Sequence, residues 1–254
     1  MISDLTNRTV MLSGASSGIG AHLARVLAKA GANVVLGARR AERTEALASE
    51  IKDAGGRSLA VSLDVTAEAS VAAAYNTAEA EFGIVDTVIA NAGIAANGRS
   101  TDVPIQDLRS VLDTNFLGVY LLAREGAKRM IVASPSDASQ GRIVLIGSIT
   151  AQMNAPGDAA YAASKAGVAH LGRLFAREWV RKGVNVNTIQ PGYIRTEIMG
   201  DWFDTEGGER QITGWHRKRL MDIDALDDLT LYLCSDASRY ITGGTFTVDD
   251  GQSL

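Results

Sequence analysis

Seven short, mostly apolar runs recur along the chain, at residues 9–13 (TVMLS), 33–38 (NVVLGA), 58–64 (SLAVSLD), 86–90 (DTVIA), 142–147 (RIVLIG), 185–190 (NVNTIQ) and 245–249 (TFTVD). Most are nearly continuous in apolar residues rather than alternating, the pattern of strands covered on both faces. Between them lie Ala-rich stretches with helical spacing, of which 41–54, 67–82 and 159–181 are the clearest. Strand and helix in alternation predict an α/β fold, a doubly wound parallel sheet of about seven strands with helices on both faces and right-handed crossovers. Nothing interrupts the alternation, so residues 1–254 read as a single domain, a length one α/β domain commonly reaches. The polar segment 133–140 (ASPSDASQ) suits a surface loop. The stretch 193–222 follows neither period, being irregular and carrying Met199, Trp202, Phe203 and Trp215 among charges. Inside a compact domain it is expected to serve as a substrate or lid loop.

Residues 9–30 give the first chemical signal. The first apolar run leads into Gly14-Ala15-Ser16-Ser17-Gly18-Ile19-Gly20 and then into a helical stretch, AHLARVLAKA. Glycines let the backbone turn sharply and approach a pyrophosphate, while the free N–H groups and positive end of the helix face the anion. In such a sheet ligands bind beyond the carboxyl ends of the strands. Those ends carry Gly14–Gly20, Ala38-Arg39-Arg40, Asp64-Val65, Asn91-Ala92-Gly93, Ser148 and Pro191-Gly192, small, polar or turn-forming residues that suit a nucleotide groove.

Composition narrows the class. A net charge of −4 argues against a surface that tracks phosphates, so no nucleic-acid partner is expected. The start, MISDLTNRTV, lacks the basic and apolar regions of a secretory leader, and no window approaches the roughly 20 apolar residues of a membrane span. A soluble, cytoplasmic protein is expected. Cys234, the single cysteine, sits in the apolar run LTLYLC and reads as a buried, inert thiol. His22, His170 and His216 are scattered, and no metal site is expected.

Tyr161 and Lys165 stand four apart at the start of the helical stretch 159–181, which puts them on one face, while Ser148 follows the fifth apolar run. A phenol with an ordinary pKa of about 10 is a poor acid–base group at neutral pH, and a neighbouring ammonium moves it toward working pH. Over essentially its whole length the chain resembles the classical short-chain dehydrogenases/reductases. The resemblance rests on S-G-x-x-x-G-I-G at 13–20, A-N-A-G at 90–93, Asn115, Ser148, Y-x-A-S-K at 161–165, and P-G at 191–192 with Thr196. It implies a Rossmann-type fold and a catalytic tetrad of Asn115, Ser148, Tyr161 and Lys165. In that tetrad Tyr161 exchanges the proton and Ser148 polarises the substrate oxygen. Lys165 depresses the Tyr161 pKa and holds the nicotinamide ribose, and Asn115 holds a water that links Lys165 to solvent. Two positions depart from the family pattern. Ser13 stands for Thr but keeps a hydroxyl, and Ala90 stands for Asn, which puts one sheet-stabilising hydrogen bond in doubt.

An acidic residue at the end of the second strand would repel a 2′-phosphate, and an arginine accommodates one. Here Ala38 is followed by Arg39 and Arg40, which favours NADP(H) and leaves NAD(H) use open. By resemblance Gly14, Ser16, Ser17, Gly18, Ile19 and Gly20 hold the phosphates, while Asp64, Val65, Asn91, Ala92 and Gly93 surround the adenosine. Pro191, Gly192, Ile194 and Thr196 flank the nicotinamide. Ile149, Met153, Asn154, Tyr193 and parts of 198–215 are expected to line a pocket for a small ketone or secondary alcohol. The leading expectation is an NADP(H)-linked carbonyl reductase or alcohol dehydrogenase. A 3-oxoacyl thioester reductase, with Arg124, Lys128 and Arg129 as a basic patch, and a nucleotide-sensing regulator on the same fold are the alternatives. The family habit implies a homo-oligomer, a tetramer or dimer, joined through helices near 104–132 and 159–181 and the C-terminal strand.

Overall fold

The computed structural model describes residues 4–96, 98–133, 141–154 and 157–254. Seven parallel strands form one sheet: β1 (Thr9–Ser13), β2 (Asn33–Ala38), β3 (Arg57–Ser62), β4 (Thr87–Ala90), β5 (Gly141–Ile146), β6 (Val184–Pro191) and β7 (Thr245–Val248). Their order is β3-β2-β1-β4-β5-β6-β7, so the winding reverses between β1 and β4. Every residue of β1, β4, β5 and β6 is buried, whereas the edge strands β3 and β7 are partly exposed. Continuous apolar runs therefore mark the centre of the sheet, where helices cover both faces.

The helices are α1 (Gly18–Lys29), α2 (Ala41–Asp53), α3 (Glu68–Phe82), α4 (Ile105–Leu112), α5 (Gly118–Ala133), α6 (Ala159–Trp179), α7 (Glu206–Gly214) and α8 (Asp227–Cys234). One core layer joins α3, α5 and α6 to the sheet through Val71, Leu122 and Phe175. The other joins α1, α2 and α8 through Leu23, Leu47 and Leu233. A π-helical turn, Asp113–Leu117, joins α4 to α5. Such turns are rare and concentrate at functional sites. Cys234 is fully buried, and burial pushes its thiol up to about 12, as an inert core residue requires. Ala90 is also fully buried in the core. Of the loop expected over 133–140, Ala133 ends α5 and the rest lies outside the described residues. No helix among the described residues is long and apolar enough to cross a membrane.

The stretch 193–222 is more ordered than its sequence suggests. It holds short 3-10 turns at Glu197–Met199 and Trp202–Asp204 and the helix α7, and Ile194 bridges to Met221. Gly207 and Gly208 look like helix breakers, yet the Trp202–Phe203 turn packs against them. A Cβ at Gly208 would stand 2.2 Å from the Trp202 carbonyl oxygen. Thr205 caps the helix, its hydroxyl accepting the Gly208 N–H at 3.2 Å.

Candidate active site

The Gly-rich turn lies between β1 and α1, beside the point where the winding reverses. The buried Ser13 hydroxyl accepts the N–H groups of Asn91 and Ala92, both at 3.1 Å, and so ties β1 to the loop after β4. The Asn91 amide donates back to the carbonyls of Ser13 (3.0 Å) and Gly14 (3.3 Å). The serine thus keeps the bonds its hydroxyl promised. Gly14 has a φ of +69°, and a Cβ on Gly20 would stand 2.2 Å from the Gly14 carbonyl oxygen, so side chains are excluded from both. Ser17, at the N-cap of α1, makes no side-chain bond to the helix; its hydroxyl accepts from Arg40 at 2.7 Å instead. The first-turn N–H groups of α1 thereby keep the donor character that suits an anion.

Arg40 bridges this turn to the opposite wall. Its guanidinium donates to the Ser16 hydroxyl at 3.0 and 2.8 Å and to Glu197 at 3.1 Å, while Arg43 reaches the same carboxylate at 2.7 Å. The two arginines hold the Glu197 carboxyl below its ordinary range. Arg39 is exposed and makes no hydrogen bond among the described residues. Asp64 accepts from the Thr66 N–H and hydroxyl, which lower its pKa, with Arg39 a minor contributor. Val65 is buried against Gly118. Ile19 packs against the core. On the far wall Pro191 ends β6, the Gly192 N–H bonds to Val248, and Ile194 is buried. Thr196 stands over the Gly-rich turn, 3.5 Å from where a Cβ on Gly18 would lie.

Beyond β5, Ser148 caps a short 3-10 turn rather than ending the strand. Its oxygen accepts from the Thr150 N–H (3.2 Å) and hydroxyl (3.0 Å), which leaves its own hydrogen to donate. That hydroxyl is near enough to Tyr161 to pull the phenol down. Burial outweighs it and pushes Tyr161 up to about 12, with Asp158 and Tyr193 adding in the same direction. The expected depression by Lys165 is not seen. Lys165 Nζ lies 5.5 Å from the centre of the Tyr161 ring but donates to the Ile146 carbonyl at 2.8 Å, the acceptor that keeps this buried amine satisfied. Burial lowers its pKa to about 8.

Asn115 lies in the π-helical turn and is fully buried. Its carbonyl accepts the Ile94 N–H at 2.8 Å, and its amide donates to the Ile94 carbonyl (2.9 Å) and the Ser164 hydroxyl (3.1 Å). Both amide hydrogens are spent, so the side chain fixes the loop after β4. Gly93 closes the group, since a Cβ there would stand 3.4 Å from Asn115 and 3.6 Å from Lys165 Nζ.

The mouth is aromatic. Tyr193 stacks on Trp215 with ring centres 5.3 Å apart and meets Phe203 edge-on at 5.8 Å. Of the expected pocket residues, Met153 is half-buried, Asn154 exposed and Ile149 buried. Asp158, Thr150, Arg43 and Glu197 join the site although their motifs did not single them out. Asp158, three residues before Tyr161, carried a signal, because that spacing shares a helix face.

A family model described as short chain dehydrogenase matches residues 8–207. The chain is 36% identical over 258 residues to "Oxidoreductase UcpA" of Escherichia coli (strain K12), covering 98% of this chain and 96% of that one. It is 37% identical over 252 residues to the cis-4-hydroxycyclohexanecarboxylate dehydrogenase of Sinomonas cyclohexanicum, covering 96% of each. Among solved structures, a gluconate 5-dehydrogenase from Burkholderia cenocepacia in complex with NADP and tartrate superposes with a TM-score of 0.93 at 30% identity, covering 99% of this chain and 98% of that one.

Proposed function

Because the chain belongs to the short-chain dehydrogenase family, we propose that it transfers hydride between a nicotinamide cofactor, NADP(H) by preference, and a ketone or secondary alcohol. The observation that carries this reading is the meeting of the Ser148 and Tyr161 hydroxyls beside the buried Lys165, next to the Gly-rich turn. The turn fits a pyrophosphate, since its glycines leave a cradle that a Cβ would fill and α1 keeps its first N–H groups for an anion. Arg39, Arg40 and Arg43 suit a 2′-phosphate, and Ala38 brings no carboxylate against it. When bound, the nicotinamide supplies or accepts the hydride.

Tyr161, protonated at neutral pH, is set to give its proton to a carbonyl oxygen, and Ser148 donates a hydrogen bond to that same oxygen. In the oxidative direction Tyr161 takes the alcohol proton. Lys165 has the reach to trade the Ile146 carbonyl for the ribose hydroxyls, where its charge would favour the phenolate. The aromatic mouth excludes water during transfer. The relatives' names support secondary alcohols as the substrate class. A carrier-protein thioester fits less well, because Arg124 pairs with Glu68, Arg129 with Glu79 and Glu125, and Lys128 lies 4.0 Å from Glu125. Exposed Ile105, Leu112, Phe116, Leu117 and Leu174 on α4 to α6 support assembly of copies through that face.

The test is hydride transfer across a panel of ketones and secondary alcohols with each cofactor. NADPH-linked turnover is expected. Cofactor binding without turnover of any substrate would favour the nucleotide sensor, and preference for NADH would overturn the arginine assignment.

A further inference from the structure

The start of α6 carries a carboxylate that this chemistry leaves unused. Asp158 is the N-cap residue of α6, three before Tyr161, so both project from one side of the helix start. An aspartate in that position ordinarily turns its carboxylate onto the free N–H groups of the first turn. Asp158 makes no such bond. Only its backbone is engaged, the carbonyl accepting the Ala162 N–H at 2.9 Å, and its carboxylate has no hydrogen-bond or ion-pair partner among the described residues.

The carboxylate is half-buried, and loss of water raises its pKa to about 6, which leaves it mostly ionised at neutral pH. Its charge acts on both Tyr161 and Tyr193 and pushes each phenol up, as its place three residues before Tyr161 at the start of α6 allows. Two cations of the site and its rim have acceptors of their own. Lys165 donates to Ile146, and Arg195 is bound to Asp204 at 3.0 and 2.9 Å. A charge drawn partly out of water without a partner is costly, and in a substrate cleft the ligand can bring the missing donor.

We propose that Asp158 determines specificity by accepting a hydrogen bond from a second hydroxyl beside the reacting carbon, so that the substrates are neutral polyhydroxylated alcohols and their hydroxyketones. A substrate carboxylate at that place meets like charge and is turned away. The inference rests on the hydride-transfer reading with Tyr161 as acid–base.

Three four-carbon substrates test it: 2,3-butanediol, 2-butanol and 3-hydroxybutanoate, with the wild type, Asp158→Ala and Asp158→Asn. In the wild type, kcat/KM for the diol is expected to exceed that for 2-butanol by about ten- to a hundredfold, the range of a hydrogen bond to a charged group. In Asp158→Ala that ratio falls toward one. In Asp158→Asn it falls part of the way, because the amide oxygen still accepts, and 3-hydroxybutanoate gains relative to 2-butanol. A wild-type ratio near one, a ratio that survives in Asp158→Ala, or an equal loss on all three substrates as from a structural role, overturns the proposal and leaves the hydride-transfer reading standing. No turnover of any alcohol by the wild type removes that reading, and the proposal with it.

Discussion

Replacing Lys165 by Met is expected to stabilise the fold while abolishing turnover. The amine is 3% exposed and its pKa falls from an ordinary 10.5 to about 8, burial being the cause. That drop corresponds to about 3 kcal/mol set against the ammonium in the folded state. Methionine has similar length, needs no hydration and adapts to an irregular channel. Losing the bond to the Ile146 carbonyl returns about 1 kcal/mol, which leaves a gain of about 2 kcal/mol. For a chain of this size that is a rise in Tm of about 4–8 °C. The sign with pH follows from a folded pKa below the unfolded one. The penalty is fully present below about 8, fades as pH climbs toward 10.5, and is absent above it. Thermal melts of both proteins from pH 6 to 10 are the assay, and the gap between them should narrow above pH 8. A Met variant that melts at or below the wild type at pH 7, or a gap indifferent to pH, refutes the reasoning.

Tyr161→Phe should keep cofactor affinity and lower kcat by about 10²–10⁴-fold, the worth of a general acid; retention of a tenth of the wild-type rate would mean another group supplies the proton. Arg39→Ala should weaken NADPH binding about ten- to a hundredfold in fluorescence titrations and barely alter NADH, and an unchanged ratio would remove Arg39 from the 2′-phosphate site. Glu197→Gln frees Arg40 and Arg43 from a competing carboxylate, so NADPH should bind about three- to tenfold more tightly, a gain that high salt erodes; weaker binding would mark Glu197 as a clasp over the cofactor instead. Hydrogen exchange across residues 193–222 should slow when cofactor and a substrate analogue are both present, and equal protection in both states would rule out closure.

Much of the architecture was legible because central strands announce themselves as unbroken apolar runs. All seven lie where those runs predict, within a residue or two at the ends. The helix α7 was not legible, because Gly207 and Gly208 disfavour helix by local propensity and only the Trp202 turn packed on them reverses that preference. At the site, the spacing of Tyr161 and Lys165 showed which groups meet, but not that the lysine would find the Ile146 carbonyl first. That choice depends on the end of a strand nineteen residues earlier. The competition of Glu197 for Arg40 and Arg43 spans more than 150 positions, beyond the reach of any local pattern.

The π-helical turn at Asp113–Leu117 bears on which deletions this protein can tolerate. A π turn is a helix with one residue too many, and removing one would restore regular backbone bonding through α4 and α5. The local repair would be a global error. Each residue advances a helix by about 100°, so everything after the deletion would rotate by that angle about the axis. Leu122 and Gly126, now packed on the sheet, would swing toward solvent, and Asn115 would lose Ile94. Point substitutions on the outer face of this segment should be well borne while changes of length are not, so alignments that place gaps here would misalign the catalytic wall.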